Sequence, residues 1–129
     1  MTFSIVARSD DGESWGVAVA SKFLAVGAAV SAARAGVGVI ATQADANVAY
    51  KRDGLSLLGQ GGTAEQVLAE LTDADEGRDE RQLGIVDRHG NAASFTGTQC
   101  LDWCGGRTGS GYSVQGNVLA GPRVLDEME

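Results

Sequence analysis

Met1-Thr2 opens the chain, and threonine in second place is the residue with the clearest chemical potential. Methionine removal acts when the second residue is small, so the chain can mature to begin with threonine. A free N-terminal threonine holds a hydroxyl nucleophile and an amine base in one residue. An α-amine has an unperturbed pKa of about 7.7–8.0, so part of it is neutral at physiological pH and accepts the hydroxyl proton. The chemistry expected is attack on an amide carbonyl. With Met1 attached, the same nitrogen is a peptide amide and no base. Many ordinary proteins begin Met-Thr, so the reading depends on what surrounds Thr2.

Two cations are candidates to stand near it. Asp10-Asp11-Gly12-Glu13 is a turn by its chemistry, because Asp and Gly supply the unusual dihedrals. If the turn centres between Asp11 and Gly12, Thr2 lies opposite Ser21, with Lys22 adjacent. A lysine there lowers the pKa of both amine and hydroxyl; the plain alternative is that Lys22 ends a strand and points to solvent. Arg34 ends the third strand amid small residues, where an unpaired charge is costly. It therefore needs a carboxylate, a carbonyl or a substrate.

Other chemistries find less support. Cys100 is the runner-up nucleophile, but His89 falls in a hairpin turn and offers it no base. Cys100 and Cys104, spaced C-x3-C with one histidine in the chain, do not make a four-ligand zinc site. They read as free thiols of a reducing compartment. Neither metal nor cofactor is expected. Gly106-x-x-Gly109-x-Gly111 lacks the dinucleotide spacing, and no phosphate loop or serine elbow occurs.

The elements that must position Thr2 follow from patterning. Thr2–Arg8 and Trp15–Ser21 form a first hairpin. The return strand is apolar on both faces, which predicts a place at the centre of a packed sheet. Ala28–Arg34 and Gly38–Thr42 predict a second hairpin through Ala35-Gly36. Asn47–Leu58 predicts a helix despite Gly54. Thr63-Ala64-Glu65-Gln66 is a capping box, with Ala64, Val67, Leu68 and Leu71 on one helical face behind it. Gln82–Asp87 and Asn91–Thr96 predict a third hairpin, turning at Arg88-His89-Gly90. A glycine-rich stretch leads to a strand at Tyr112–Gln115, and Pro122 marks the first turn of a last helix. Three hairpins with helices inserted after the second are not the alternation of a parallel sheet. The order predicts an α+β domain of antiparallel sheets flanked by helices, one domain over 1–129.

Composition sets outer limits. At 129 residues one core is enough without disulfides. The net charge of −7 argues against nucleic acid and anionic membrane as partners. No basic and apolar leader opens the chain, and Phe23–Ala33 is too short to span a bilayer. The expectation is a cytoplasmic protein.

The blocks TFSIVAR, GVAVASKFLAVG, ARAGVGVIATQADAN, QLGIVDRHGNAASFTG and GYSVQGNVLAGPRVL extend nearly end to end. In that order they resemble the bacterial domain of unknown function 1028 family, placed in the N-terminal-nucleophile (Ntn) hydrolase-like superfamily. The resemblance implies a four-layer αββα sandwich. In that superfamily the nucleophile begins the first strand, a basic residue stands on a neighbouring strand, and backbone N–H groups form an oxyanion hole. Carried over, these roles fall to Thr2, to Lys22 or Arg34, and to Gln43–Ala44. Ser21 lies opposite the nucleophile, and Asn47, Gln115 and Asn117 are polar residues at element ends that offer side-chain donors. Each is equally a cap or turn former; for Asn47 the cap reading is the stronger. Members of the family are longer than this chain, which is then a fragment, a naturally short form or one half of an assembly whose partner completes a layer; an open strand edge favours a homo-oligomer. The functional expectation is an amidohydrolase acting on a small amide or peptide bond. The alternative is a non-catalytic protein of the same fold that binds a small molecule or a protein partner.

Overall fold

Asp11 and Gly12 close the first hairpin as their chemistry requires. The Asp11 carboxylate accepts from the Ser9 hydroxyl and the Glu13 N–H, and Gly12 takes φ 75°. The flanking strands β1 (Thr2–Arg8) and β2 (Trp15–Ser21) then pair with Thr2 opposite Ser21. The computed structural model describes all 129 residues. It continues through helix α1 (Val26–Val30), β3 (Ser31–Arg34) and β4 (Gly38–Ala44). Ala28–Val30, expected as strand, is therefore helical. Its small apolar residues carry no period that separates one turn of helix from a strand.

Helices α2 (Ala49–Gly59) and α3 (Ala64–Asp73) follow. The Thr63 hydroxyl accepts from Gln66 N–H, and the Gln66 side chain accepts from Thr63 N–H, so the capping box forms as expected. Gly54 is needed inside α2. A Cβ there would collide with the Ile40 side chain, so the glycine lets the helix lie close on β4. A 3-10 turn at Arg78–Glu80 leads into β5 (Arg81–Asp87), β6 (Ala92–Thr96), β7 (Gly105–Gly109), β8 (Tyr112–Asn117) and the short α4 (Arg123–Asp126). Strand β7 was not expected, because GGRTG has neither alternation nor strand propensity.

The strands form two antiparallel sheets, ordered β2-β1-β8-β7 and β3-β4-β5-β6. They pack face to face over Val6, Val17 and Val19 on one side and Val39, Ala41 and Val86 on the other. The outer face of the second sheet presents Ile40, Leu83 and Ile85 to Tyr50, Leu55, Leu58, Val67 and Leu71 of α2 and α3. Each of these large side chains contributes about 1.5–3 kcal/mol by burial. On the first sheet, Phe3, Ile5 and Val114 pack with Leu119 and Leu125. Strand β2 is an edge and not the centre of its sheet: Trp15, Val17 and Val19 face inward, while Gly16, Ala18 and Ala20 are exposed. Small apolar residues read as two-sided burial but tolerate solvent. No helix is long and apolar enough to cross a membrane.

All four hairpins turn at the same end of the sandwich, where Gly12, Gly36, Gly90 and Gly111 take positive φ. The Trp15 indole N–H donates to Asp87 O and ties the two sheets together there. Thr2, Ser21, Ala44 and Asn117 consequently lie at the opposite end.

Candidate functional site

At that opposite end the two sheets enclose a cavity of about 550 Å³. Thr2, Ser21, Lys22, Gln43, Ala44 and Asn117 all line it. Strand register explains the convergence. Thr2 is the cross-strand partner of Ser21 on β2 and of Asn117 on β8, so it sits between the two.

A hydrogen-bond chain orders the Thr2 hydroxyl. Ser21 Oγ donates to the Met1 carbonyl at 2.9 Å and accepts from Phe23 N–H at 3.1 Å. With its one proton given to Met1, Ser21 accepts from Thr2 Oγ at 2.9 Å. Lys22 stands on the rim, exposed and without an ion pair. Beside it the backbone is strained: Ala44, at the end of β4, holds φ 66°. A left-handed conformation costs a residue with a Cβ about 1–2 kcal/mol.

Behind the cavity lies a network of neutral side chains between the sheets, all buried except the half-buried Thr96. Gln82 Nε2 shares its two protons among three acceptors, the carbonyls of Gly116 (2.8 Å) and Gly105 (3.1 Å) and Thr96 Oγ1 (3.0 Å). A carbonyl cannot donate, so the orientation of Gln82 is fixed and its Oε1 must accept. It accepts from Gln43 Nε2 at 2.8 Å and Asn117 Nδ2 at 3.0 Å. Gln43 Oε1 in turn accepts from Ser4 Oγ at 2.7 Å. Gln115 Nε2 donates to Ser4 Oγ at 2.7 Å, and its Oε1 accepts from Ser113 Oγ at 2.8 Å. The side-chain amides of Gln43 and Gln115 are thus turned into the protein, and Gln115 lines no part of the cavity. None of this network was legible beforehand beyond the bare presence of Gln and Asn in strands.

The remaining candidates lie elsewhere. Arg34 is exposed beside the β3–β4 turn, at the far end of the sandwich. Its charge is solvated and needs no buried partner. Asn47 accepts from Ala49 N–H at the start of α2 and donates to Asp75 at 3.0 Å. It belongs to a second polar centre. There Asp75 also accepts from Tyr50 Oη at 2.7 Å and Arg81 Nε at 3.0 Å. The Arg81 guanidinium holds the Asp75 carboxyl far below the usual carboxylate range, against a partial counter-effect of burial. Burial and the neighbouring carboxylate push the Tyr50 hydroxyl up, so it remains a donor. Cys100 is buried, donates to Arg81 O at 3.2 Å, and has its thiol pushed up by burial, which opposes thiolate formation.

The apolar part of the cavity comes from residues the sequence did not single out: Phe23, Val26, Ala29, Val30 and Val48. A second cavity of about 460 Å³ continues the first, sharing Ala44, Asp45 and Asn117 and reaching Leu101.

Comparison with known proteins places this architecture. A family of unknown function, DUF1028, matches residues 2–129. The chain belongs to that family. A crystal structure of the protein SPO2555 from Silicibacter pomeroyi, also assigned to DUF1028, superposes with a TM-score of 0.93 at 35% sequence identity. The likeness covers 98% of this chain and 59% of that one, so the chain spans about three-fifths of its relative's length. No curated protein matches the chain. Membership of DUF1028 brings the fold with it and no activity.

Proposed function

We propose that this DUF1028 chain has the αββα architecture of the Ntn-hydrolase-like superfamily and is an amidohydrolase with Thr2 as nucleophile. The observation that carries the reading is the position of the Thr2 hydroxyl. It lies at the mouth of a cavity, hydrogen-bonded to Ser21, with Lys22 on the rim. Once Met1 is removed, the Thr2 amine takes the proton from Oγ as Oγ bonds to the substrate carbonyl carbon. Backbone N–H groups of the Gln43–Ala44 stretch stabilise the tetrahedral oxyanion, since the side-chain amides of Gln43 and Gln115 are committed elsewhere. Collapse breaks the C–N bond, and the amine returns its proton to the leaving nitrogen. Water then hydrolyses the threonyl ester, releasing the acid and restoring Thr2. The lining by Phe23, Val26, Ala29, Val30 and Val48 suits an apolar group on the acyl side of a small amide or peptide.

The test is hydrolysis of a series of acyl-aminocoumarin amides by protein that begins at Thr2. Thr2→Ala should lower turnover at least about 10³-fold with the fold retained by circular dichroism. An intact mass showing Met1 on the natively expressed protein would overturn the mechanism.

A second reading has its own observation. The large apolar side chains that are exposed are Met1, Phe23, Leu24, Val48, Leu101 and Val118, and each lines these two cavities or adjoins a lining residue. Leu24 is 90% exposed and lines neither cavity. A non-catalytic protein that binds a partner or a second copy over this rim would use it. Such a protein keeps full partner binding in Thr2→Ala and shows no turnover.

A further inference from the structure

Asn117 has a free end, and the network behind it determines which end that is. Its Nδ2 is given to Gln82 Oε1, whose polarity is set by the Gly116 and Gly105 carbonyls. Asn117 is only 5% exposed, yet its Oδ1 accepts no hydrogen bond within the protein and is not sealed from solvent. The residue lines both cavities. It therefore offers the site an acceptor, where the sequence suggested a donor.

The ladder between β1 and β8 says what this acceptor faces. Arg8 N–H donates to Gly111 O, and antiparallel ladders alternate bonded and non-bonded pairs. Counting back two residues at a time along the register, Thr2 with Asn117 is a bonded pair. Its partner across β2, Ser21, lies on the other side, at a non-bonded position: the Ser9 N–H to Ser14 O bond sets that ladder's phase. The Thr2 nitrogen is thus directed at Asn117, while the Thr2 hydroxyl reaches toward Ser21.

We propose that Asn117 Oδ1 is a positioning residue that receives a hydrogen bond from the free Thr2 α-amino group, beside the backbone carbonyl of the same residue. This rests on the nucleophile reading above. In a Met1-bearing chain the nitrogen has a single N–H, directed into the ladder. Removal of Met1 supplies further N–H bonds, and Asn117 Oδ1 is the unoccupied acceptor on that side. Holding two of them turns the nitrogen lone pair toward Oγ. Gln82 acts at one remove by keeping the Asn117 amide from rotating.

The experiment uses protein that begins at Thr2, checked by intact mass, and titrates the α-amine directly through the pH dependence of its reductive methylation. No substrate is needed. Asn117→Asp places a carboxylate beside the ammonium and should raise the amine pKa by about 1–3 units. Asn117→Leu should shift it the opposite way, and the acid limb of the pH–rate profile should move in step. Folded variants that titrate like the parent protein overturn the proposal. If the variants do not fold, a crystal structure of the Thr2-start protein decides it. A nitrogen within hydrogen-bond reach of Asn117 Oδ1 supports the assignment, and one beyond reach overturns it. Shifted titration without any turnover leaves Asn117 in place and removes the hydrolase; turnover with an unshifted amine does the reverse.

Discussion

The two ends of the sandwich handle left-handed backbone in opposite ways. At the turn end it falls to Gly12, Gly36, Gly90 and Gly111, which adopt it without steric cost. At the cavity end it falls to Ala25, Ala44 and Val118, each with a Cβ. Ala44 lines the cavity, and Ala25 and Val118 directly precede or follow residues that do. The turn end is built for stability, and the cavity end holds about 1–2 kcal/mol of strain at each of three positions. Strain collects where surrounding structure enforces a shape for binding or catalysis. That contrast separates the ends more sharply than their composition does.

The largest effect should come from cutting the network that enforces the shape. Gln82→Leu leaves Asn117 Nδ2 without a partner and Gln43 Nε2 with only the Gln115 carbonyl at 3.3 Å, in a buried space. It should cost about 3–5 kcal/mol in urea denaturation. A loss below about 1 kcal/mol would mean that water replaces the amide and that Asn117 is not held.

A middle-sized effect should come from the second polar centre, which flanks the cavity end through the bonds of Arg81 to Asp45. The Asp75 pKa is depressed in the folded protein, so its ionised form is preferentially bound there. That contribution is fully present above the unfolded carboxylate pKa of about 3.9 and is lost as pH falls through the lower folded value. Asp75→Asn should cost about 2 kcal/mol at pH 7, from hydrogen bonds to a charged acceptor. The gap between the two melting curves should close as pH falls below about 4. A gap that persists unchanged in acid would assign the loss to packing.

The smallest effects test the contrast itself. Gly36→Ala meets no neighbouring atom and acts through φ 70° alone, so it should destabilise by about 1 kcal/mol. Ala44→Gly should go the other way by about 0.5 kcal/mol, relief of strain less the added chain entropy. If both substitutions destabilise, Ala44 is not strained and the comparison fails.

Much of this frame was legible in the sequence. The Asp11-Gly12 turn alone set Thr2 against Ser21, because hairpin register follows from the turn. The Thr63–Gln66 box located α3, since capping chemistry is local. What escaped was whatever depends on distant partners. Gln43, Gln82, Gln115 and Asn117 are ordinary strand residues until the second sheet arrives to bury them. Strand β7 has little sequence signal of its own and is held by pairing with β8. Ala18 and Ala20 looked buried because alanine is equally at home in either setting. For the same reason Lys22 and Arg34 could not be told apart as candidates. Only the opposite ends of the sheets separate them.

Strand β1 is bracketed by its immediate successor and by a strand that begins at Tyr112. During synthesis, about 115 residues must follow Thr2 before Asn117 exists, on the order of 6–23 s at 5–20 residues per second. For that interval the amino terminus of the nascent chain is open along one whole side. The removal of Met1 that the proposed mechanism requires would have unobstructed access then and meet a closed ladder afterwards. The topology that completes the pocket last thereby sets a deadline for the processing step on which that proposed mechanism depends.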